Sequence, residues 1–300
     1  MSKLIDSILI PTDGSDGAIA GAKYGIALAS RTKADVSVIS VVEVTPGPED
    51  SEELVFPRLE ERADQAVETV ADMAHSYDDE LQVTTTVKRG TPFQTIREYA
   101  HRREIDVIAM GTKGRTGLER VLLGSVTENV LRTARMPVLA VPPDAARPTI
   151  EEIPFEQFLL PTDGSDGAEI AAEWGIALAV TLTATIHSLF SVDTSLFSRA
   201  RNQEEMFDML ERRGEEAIDT VRDRATDAGV SSSGTIATGS PSNVILTYVS
   251  DSDVDMIVMG THGQTGVGQW FLGSVTENVV RQADVPVFCV PISAESPRSS

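Results

Sequence analysis

Three hundred residues, 41% of them apolar, with a net charge of −21, are enough chain for two hydrophobic cores. An acidic excess of that size repels a phosphate backbone and argues against general nucleic-acid binding. No apolar run reaches the roughly 20 residues of a membrane span, and Asp6 interrupts the opening segment before a secretory core can form, so a cytoplasmic location is expected.

Residues 4–10, rich in β-branched side chains, predict a first strand. An alanine-rich stretch with helical spacing follows over 17–30, opened by Ser15 or Asp16 as its cap. Residues 36–42 predict a second strand, and 51–77 a long helix whose acidic start suits the helix dipole. A third strand is expected over 81–88. Residues 92–103 predict a helix with Thr91 as cap and Pro92 in its first position. A fourth strand spans 106–110. A glycine-rich loop then leads to a helix over 124–134, and residues 138–141 form a fifth strand. Strands that are continuously apolar and alternate with helices predict a parallel sheet covered on both faces.

The whole set occurs twice. Ile10-Pro11-Thr12-Asp13-Gly14-Ser15-Asp16-Gly17-Ala18 recurs as Leu160-Pro161-Thr162-Asp163-Gly164-Ser165-Asp166-Gly167-Ala168. Leu123-Gly124-Ser125-Val126-Thr127-Glu128-Asn129-Val130 recurs as Leu272-Gly273-Ser274-Val275-Thr276-Glu277-Asn278-Val279. A period of about 150 residues is far too long for a solenoid unit and marks two copies of a domain. The expected division is 1–143, a proline-rich linker over 144–154, a second domain over 155–293 and a flexible tail over 294–300.

The chemistry is expected in the loop after each fourth strand. Gly111, Gly114 and Gly124-Ser125 recur with identical spacing as Gly260, Gly263 and Gly273-Ser274. Glycines there are expected to allow positive φ and a close approach of an anion to the backbone amides. The helix that begins at Gly124-Ser125 presents its first amides without partners in the helix, and a phosphate suits them. The loop lies at the carboxyl end of a strand, where open α/β sheets bind ligands. No Gly-Lys-Ser/Thr follows, so this is not a Walker loop, and no Gly-x-Gly-x-x-Gly follows the first strand.

Other candidate chemistry is thin. Cys289 sits in an apolar strand and reads as a small buried hydrophobe. His75, His101 and His187 have no partner at zinc-ligand spacing, and no Gly-x-Ser-x-Gly elbow occurs. Only five lysines occur, and residues 151–300 hold none. This acid-rich, lysine-poor composition resembles that of proteins from salt-loving archaea, in which concentrated salt screens self-repulsion.

The glycine spacing, the Pro-Thr-Asp-Gly-Ser end of the first strand and the closing strands that begin at Pro137-Val138 and Pro286-Val287 together resemble the universal stress protein family, over both copies. The resemblance implies two Rossmann-like domains of the adenine-nucleotide α-hydrolase type, each with a five-stranded parallel sheet of order 3-2-1-4-5. It implies ATP as the bound cofactor, with or without Mg or Mn, held between the first and fourth strands. Its contacts would be Pro11, Thr12, Asp13, Val41, Met110, Gly111, Gly114, Arg115, Gly124, Ser125 and Val126. In the second copy they would be Pro161, Thr162, Asp163, Ser191, Met259, Gly260, Gly263, Gly273, Ser274 and Val275. Asp13 and Asp163 also read as simple turn caps. The resemblance further implies an intramolecular pseudo-dimer through the fifth strands, with a homodimer of chains as an extension of it.

The copies differ around the loop. Lys113, Arg115 and Arg120 face His262, Gln264 and Gln269 in the alignment, so the first site is expected to hold ATP more tightly and the second to respond to protonation of His262. The expected function is that of a stress-response binding or signalling module with an unidentified protein partner and no catalytic residue. The alternative is a slow ATPase or a phosphoryl- or nucleotidyl-transfer enzyme of the same superfamily.

Overall fold

The computed structural model describes residues 3–43, 49–114, 123–145, 147, 149–194, 203–263 and 272–297; within 49–55 it describes the backbone alone. The chain divides into two compact units, residues 1–153 and 154–299.

In unit 1 the order is β1 (Ser7–Pro11), α1 (Asp16–Thr32), β2 (Asp35–Val42), α2 (Glu49–Tyr77), β3 (Val83–Arg89), α3 (Pro92–Arg102), β4 (Val107–Gly111), α4 (Ser125–Thr133) and β5 (Val138–Val141). The strands are parallel and ordered β3-β2-β1-β4-β5. In unit 2 the order is β6 (Gln157–Thr162), α5 (Asp166–Leu182), β7 (Thr185–Val192), α6 (Gln203–Asp227), β8 (Ser232–Thr238), α7 (Pro241–Asp251), β9 (Met256–Gly260), α8 (Ser274–Gln282) and β10 (Val287–Val290). Its sheet repeats the topology as β8-β7-β6-β9-β10, again parallel. In unit 1, α1 packs on α2 and α3 packs on α4, one pair on each face of the sheet. Among the described residues no helix is long and apolar enough to cross a membrane.

The first strand begins later than its apolar pattern suggests. Leu4 and Ile5 are buried, but the ladder with β2 starts at Ser7. The reason is a carboxylate clamp: Asp106 Oδ2 accepts from the amides of Asp6 and Ser7 at 2.9 and 3.0 Å. Asp255 does the same for Glu156 and Gln157 in unit 2. Each clamp sets the first strand against the fourth at the end opposite the loops. Ser15 and Ser165, rather than the aspartates after them, cap the first helix of each unit, accepting from Ala18 and Ala168.

The proline-rich stretch after β5 is packed onto unit 1. Tyr24 is buried and donates to the Ala145 carbonyl at 3.0 Å, while Arg31 donates to that of Ile153 at 2.8 Å. Unit 2 uses the same helix position on its own C-terminal segment, where Trp174 Nε1 donates to the Glu295 carbonyl at 3.1 Å. Cys289 is fully buried with Sγ 3.8 Å from the Val287 carbonyl oxygen, and burial pushes its thiol pKa upward.

Candidate functional site

Sheet order reverses between β1 and β4, and the crevice between their carboxyl ends is where an open α/β sheet leaves room for a ligand. The chain leaves β1 through a tight turn. Gly14 takes φ 76°, a conformation that glycine adopts without strain. Thr12 Oγ1 accepts from the Gly14 amide at 3.2 Å. Asp13 Oδ1 accepts from the Ser15 amide at 3.0 Å and from its hydroxyl at 2.5 Å. Asp13 therefore does cap the turn, and its other oxygen, Oδ2, faces Gly114 across the crevice: a Cβ on Gly114 would lie 3.1 Å from it.

The expectation that the loop glycines supply positive φ is corrected. Among the described glycines, positive φ occurs at Gly14, Gly90, Gly164, Gly229 and Gly239, and not at Gly111, Gly114 or Gly124. Their role is close approach. A Cβ on Gly111 would overlap the Gly17 carbonyl oxygen, and one on Gly17 would overlap that of Lys113. The start of α1 is thus pressed against the end of β4, backbone to backbone.

The start of α4 is tied to the same strand end. The Gly124 amide donates to the Thr112 carbonyl at 2.7 Å, and Thr127 Oγ1 donates to that of Gly111 at 2.8 Å. A side chain at position 124 would crowd Thr112, with a Cβ 3.1 Å from its oxygen. The first intrahelical bond runs from Glu128 to Gly124. The amides of Ser125, Val126 and Thr127 thus point out of the helix end into the crevice.

The result in unit 1 is a cleft of about 590 Å³, within the roughly 300–1,000 Å³ of small-ligand sites. Pro11, Thr12, Asp13, Val41, Met110, Gly111, Gly114, Gly124, Ser125 and Val126 all line it. Arg115, also expected there, lies outside the described residues, as do Arg120, Gln264 and Gln269. Further lining residues were not anticipated: Ser40 and Glu43 around the end of β2, Leu59, Arg62 and Ala63 on α2, and Pro92 and Ile96 on α3. Among the described residues, Lys113 and Arg62 supply its positive charge, Asp13 and Glu43 its negative charge. The signal for Arg62 was present in the repeat. When the buried positions Ala66, Val67, Val70 and Ala74 are matched to Ala217, Ile218, Val221 and Ala225, Arg62 falls on Arg213.

Unit 2 repeats the frame. Pro161 and Thr162 end β6, Met259 and Gly260 end β9, and Gly273 caps α8, which opens with Ser274 and Val275. Asp163 Oδ1 accepts from the Ser165 amide at 3.0 Å, and a Cβ on Gly263 would lie 2.7 Å from its Oδ2. Thr276 Oγ1 and the Gly273 amide repeat the ties of Thr127 and Gly124, both at 2.8 Å. Ser191 donates to the Gly239 carbonyl at 2.8 Å, which turns its side chain toward the turn after β8. His262, in the place of Lys113, has Nδ1 3.0 Å from Thr261 Oγ1 and a buried Nε2 with no hydrogen-bond partner among the described residues. A smaller cavity of about 190 Å³ lies between α5 and α6, lined by Arg213, Arg224 and Glu169 among others.

Fold and crevice together define a tandem of Rossmann-like domains, each with a crevice at the point where its sheet order reverses, and comparison with known proteins names the class. The model of the universal stress protein family matches residues 5–142 and again 154–291. The chain belongs to that family. A universal stress protein of Methanocaldococcus jannaschii is 42% identical over 142 residues, covering 46% of this chain and 82% of that protein. A universal stress protein of Mycobacterium tuberculosis is 27% identical over 294 residues, covering 93% and 95% of the two chains. A crystal structure of a universal stress protein from Archaeoglobus fulgidus covers 95% of this chain and 96% of its own, with a TM-score of 0.72 and 20% identity, a likeness of fold.

Proposed function

We propose that unit 1 binds an adenine nucleotide, ATP first among them, and that the chain acts as a stress-response binding or signalling module. One observation carries the reading: the cleft joins an apolar lobe to a cationic helix end. Ile39, Val42, Leu59 and Ile96 supply the apolar side, suited to a base. The amides that open α4, Ser125 Oγ and Lys113 supply the anion side, suited to phosphates. Asp13 stands between them, where a ribose hydroxyl could donate to Oδ2. Mg or Mn would enter on the triphosphate.

Two measurements test this. Mass spectrometry of small molecules released from denatured, purified protein should find ATP. ADP in its place would favour the slow-hydrolysis alternative. Isothermal titration calorimetry should give a saturable ATP isotherm that Ser125→Glu removes. No released nucleotide and no binding heat at millimolar ATP would reject the proposal.

A further inference from the structure

We infer that Phe190 is a built-in plug of unit 2, so that each chain takes one nucleotide, in unit 1. The inference rests on reading the unit 1 cleft as an adenine-nucleotide site. Ser40 and Phe190 hold the same position in β2 and β7: each is the sixth residue of its strand, and the strand on the far side pairs with it as Val87 or Ile236. In unit 1 the small Ser40 is buried and forms part of the cleft wall beside Leu59 and Ala63 of α2. In unit 2 the residues at the matched places of α6 are Leu210 and Gly214. There the ring of Phe190 is buried against Ala217 and Ile218, with Leu210 packed onto the same cluster. The volume that unit 1 leaves open beside Leu59 is filled with an aromatic side chain in unit 2.

Gly214 shows that the filling is built in. A Cβ at that position would lie 2.7 Å from Phe190 Cδ1 and 3.0 Å from Cγ, closer than side chains pack. Unit 1 has the reverse pair, a small strand residue opposite alanine. Ser40 with Ala63 and Phe190 with Gly214 are two solutions of one packing problem, one open and one closed. Electrostatics acts in the same direction. Residues 1–150 carry 17 basic and 23 acidic side chains, whereas 151–300 carry 8 and 23. A polyanion approaches unit 2 against a larger negative field.

The test counts ATP sites per full-length chain by calorimetry. It compares the wild type with Phe190→Ser/Gly214→Ala, which installs the open pair in unit 2, and with Ser40→Phe/Ala63→Gly, which installs the closed pair in unit 1. The expected numbers are one, two and none. The plug is read from the step between wild type and opened variant, so an unchanged number of sites overturns it, whether that number is one or two. A wild type that binds no ATP defeats the unit 1 reading alone; the plug then stands if opening adds a site and falls if it does not. Circular dichroism melts establish folding. Should the opened variant not fold, the closed unit 1 variant decides: loss of the wild-type site at an unchanged melt supports the plug, and retention of that site overturns it.

Discussion

Unit 1 and unit 2 place the same turn, the same loop glycines and the same helix start around a crevice, yet at one matched strand position unit 1 has Ser40 in the cleft wall and unit 2 has the ring of Phe190 packed against α6. The frame is shared because it is made of backbone. Gly17 against Gly111 and Gly167 against Gly260 are contacts in which any Cβ would intrude, and Thr127 and Thr276 tie the helix start to the strand end in the same way. The filling differs because it is made of side chains, and a single strand position can hold serine or phenylalanine when its helix partner adjusts. The lesson is that a repeated backbone frame does not by itself imply an available site.

The backbone frame can be broken directly, with the largest expected effect. Gly111→Ala should destabilise unit 1 by about 3 kcal/mol, because the new methyl overlaps the Gly17 carbonyl. Gly260→Ala should cost unit 2 less, about 1–2 kcal/mol, since its Cβ would lie 2.7 Å from the Gly167 oxygen and α5 already carries Ala171 where α1 has Gly21. Urea unfolding of both variants measures the order; equal losses would mean that the two contacts are equivalent.

The helix starts separate binding from folding. Ser125→Glu should weaken ATP binding at least tenfold, about 1.4 kcal/mol, by placing a carboxylate against the phosphates. The same change should leave α4 unaffected or firmer by about 0.3–1 kcal/mol, since an acid suits a helix N-terminus. Ser274→Glu should leave ATP binding unchanged. A loss of affinity in the second variant would mean that unit 2 takes part in binding.

Salt sharpens the charge contrast. Raising KCl from about 0.1 to about 2 M shortens the screening length severalfold and should raise the melting temperature by several degrees, through relief of the repulsion behind the net charge of −21. Flat melting across that range would refute a role for the acidic excess in salt adaptation.

Exchanging the loop cation is a smaller perturbation. Lys113→His copies unit 2 into unit 1 and should lower ATP affinity about threefold at pH 6 and further at pH 8, as the introduced imidazole loses its charge. A pH-independent affinity in this variant would place residue 113 away from the phosphates.

The smallest effect concerns His187, which replaces Ser37. Its ring nitrogens meet Tyr248 Oη at 3.1 Å and Gln157 Oε1 at 2.9 Å, and burial lowers its pKa below the ordinary value of 6.5. The unfolded chain therefore takes up a proton near that value that the folded unit resists. The contribution of His187 is complete above pH 6.5 and is lost as pH falls through the folded-state pKa. His187→Gln should flatten the fall in stability between about pH 6.5 and 5; a slope unchanged by the substitution would assign it to other groups.

Much of this was legible in the residues. Strand–helix alternation and the doubled Pro-Thr-Asp-Gly-Ser turn announced two parallel sheets, because burying both faces of a sheet forces continuous apolar strands. The glycine spacing located the crevice, although the reason assigned to it was partly mistaken: Gly111 and Gly114 are needed for close approach and not for positive φ. Arg62 stayed hidden because α2 lies far along the chain from the loop and the two copies slip in register along this helix.

Phe190 and Gly214 each pass in sequence as an ordinary change in an apolar strand and in a polar helix. The sequence by itself determined which backbone segments must meet, since a missing Cβ is a one-letter fact and its repetition marks the place. Only the tertiary structure decided what the matched strand position packs against. That outcome depends on one ring and one missing methyl, 24 positions apart in the chain: a Cβ on Gly214 would lie 2.7 Å from Cδ1 of Phe190.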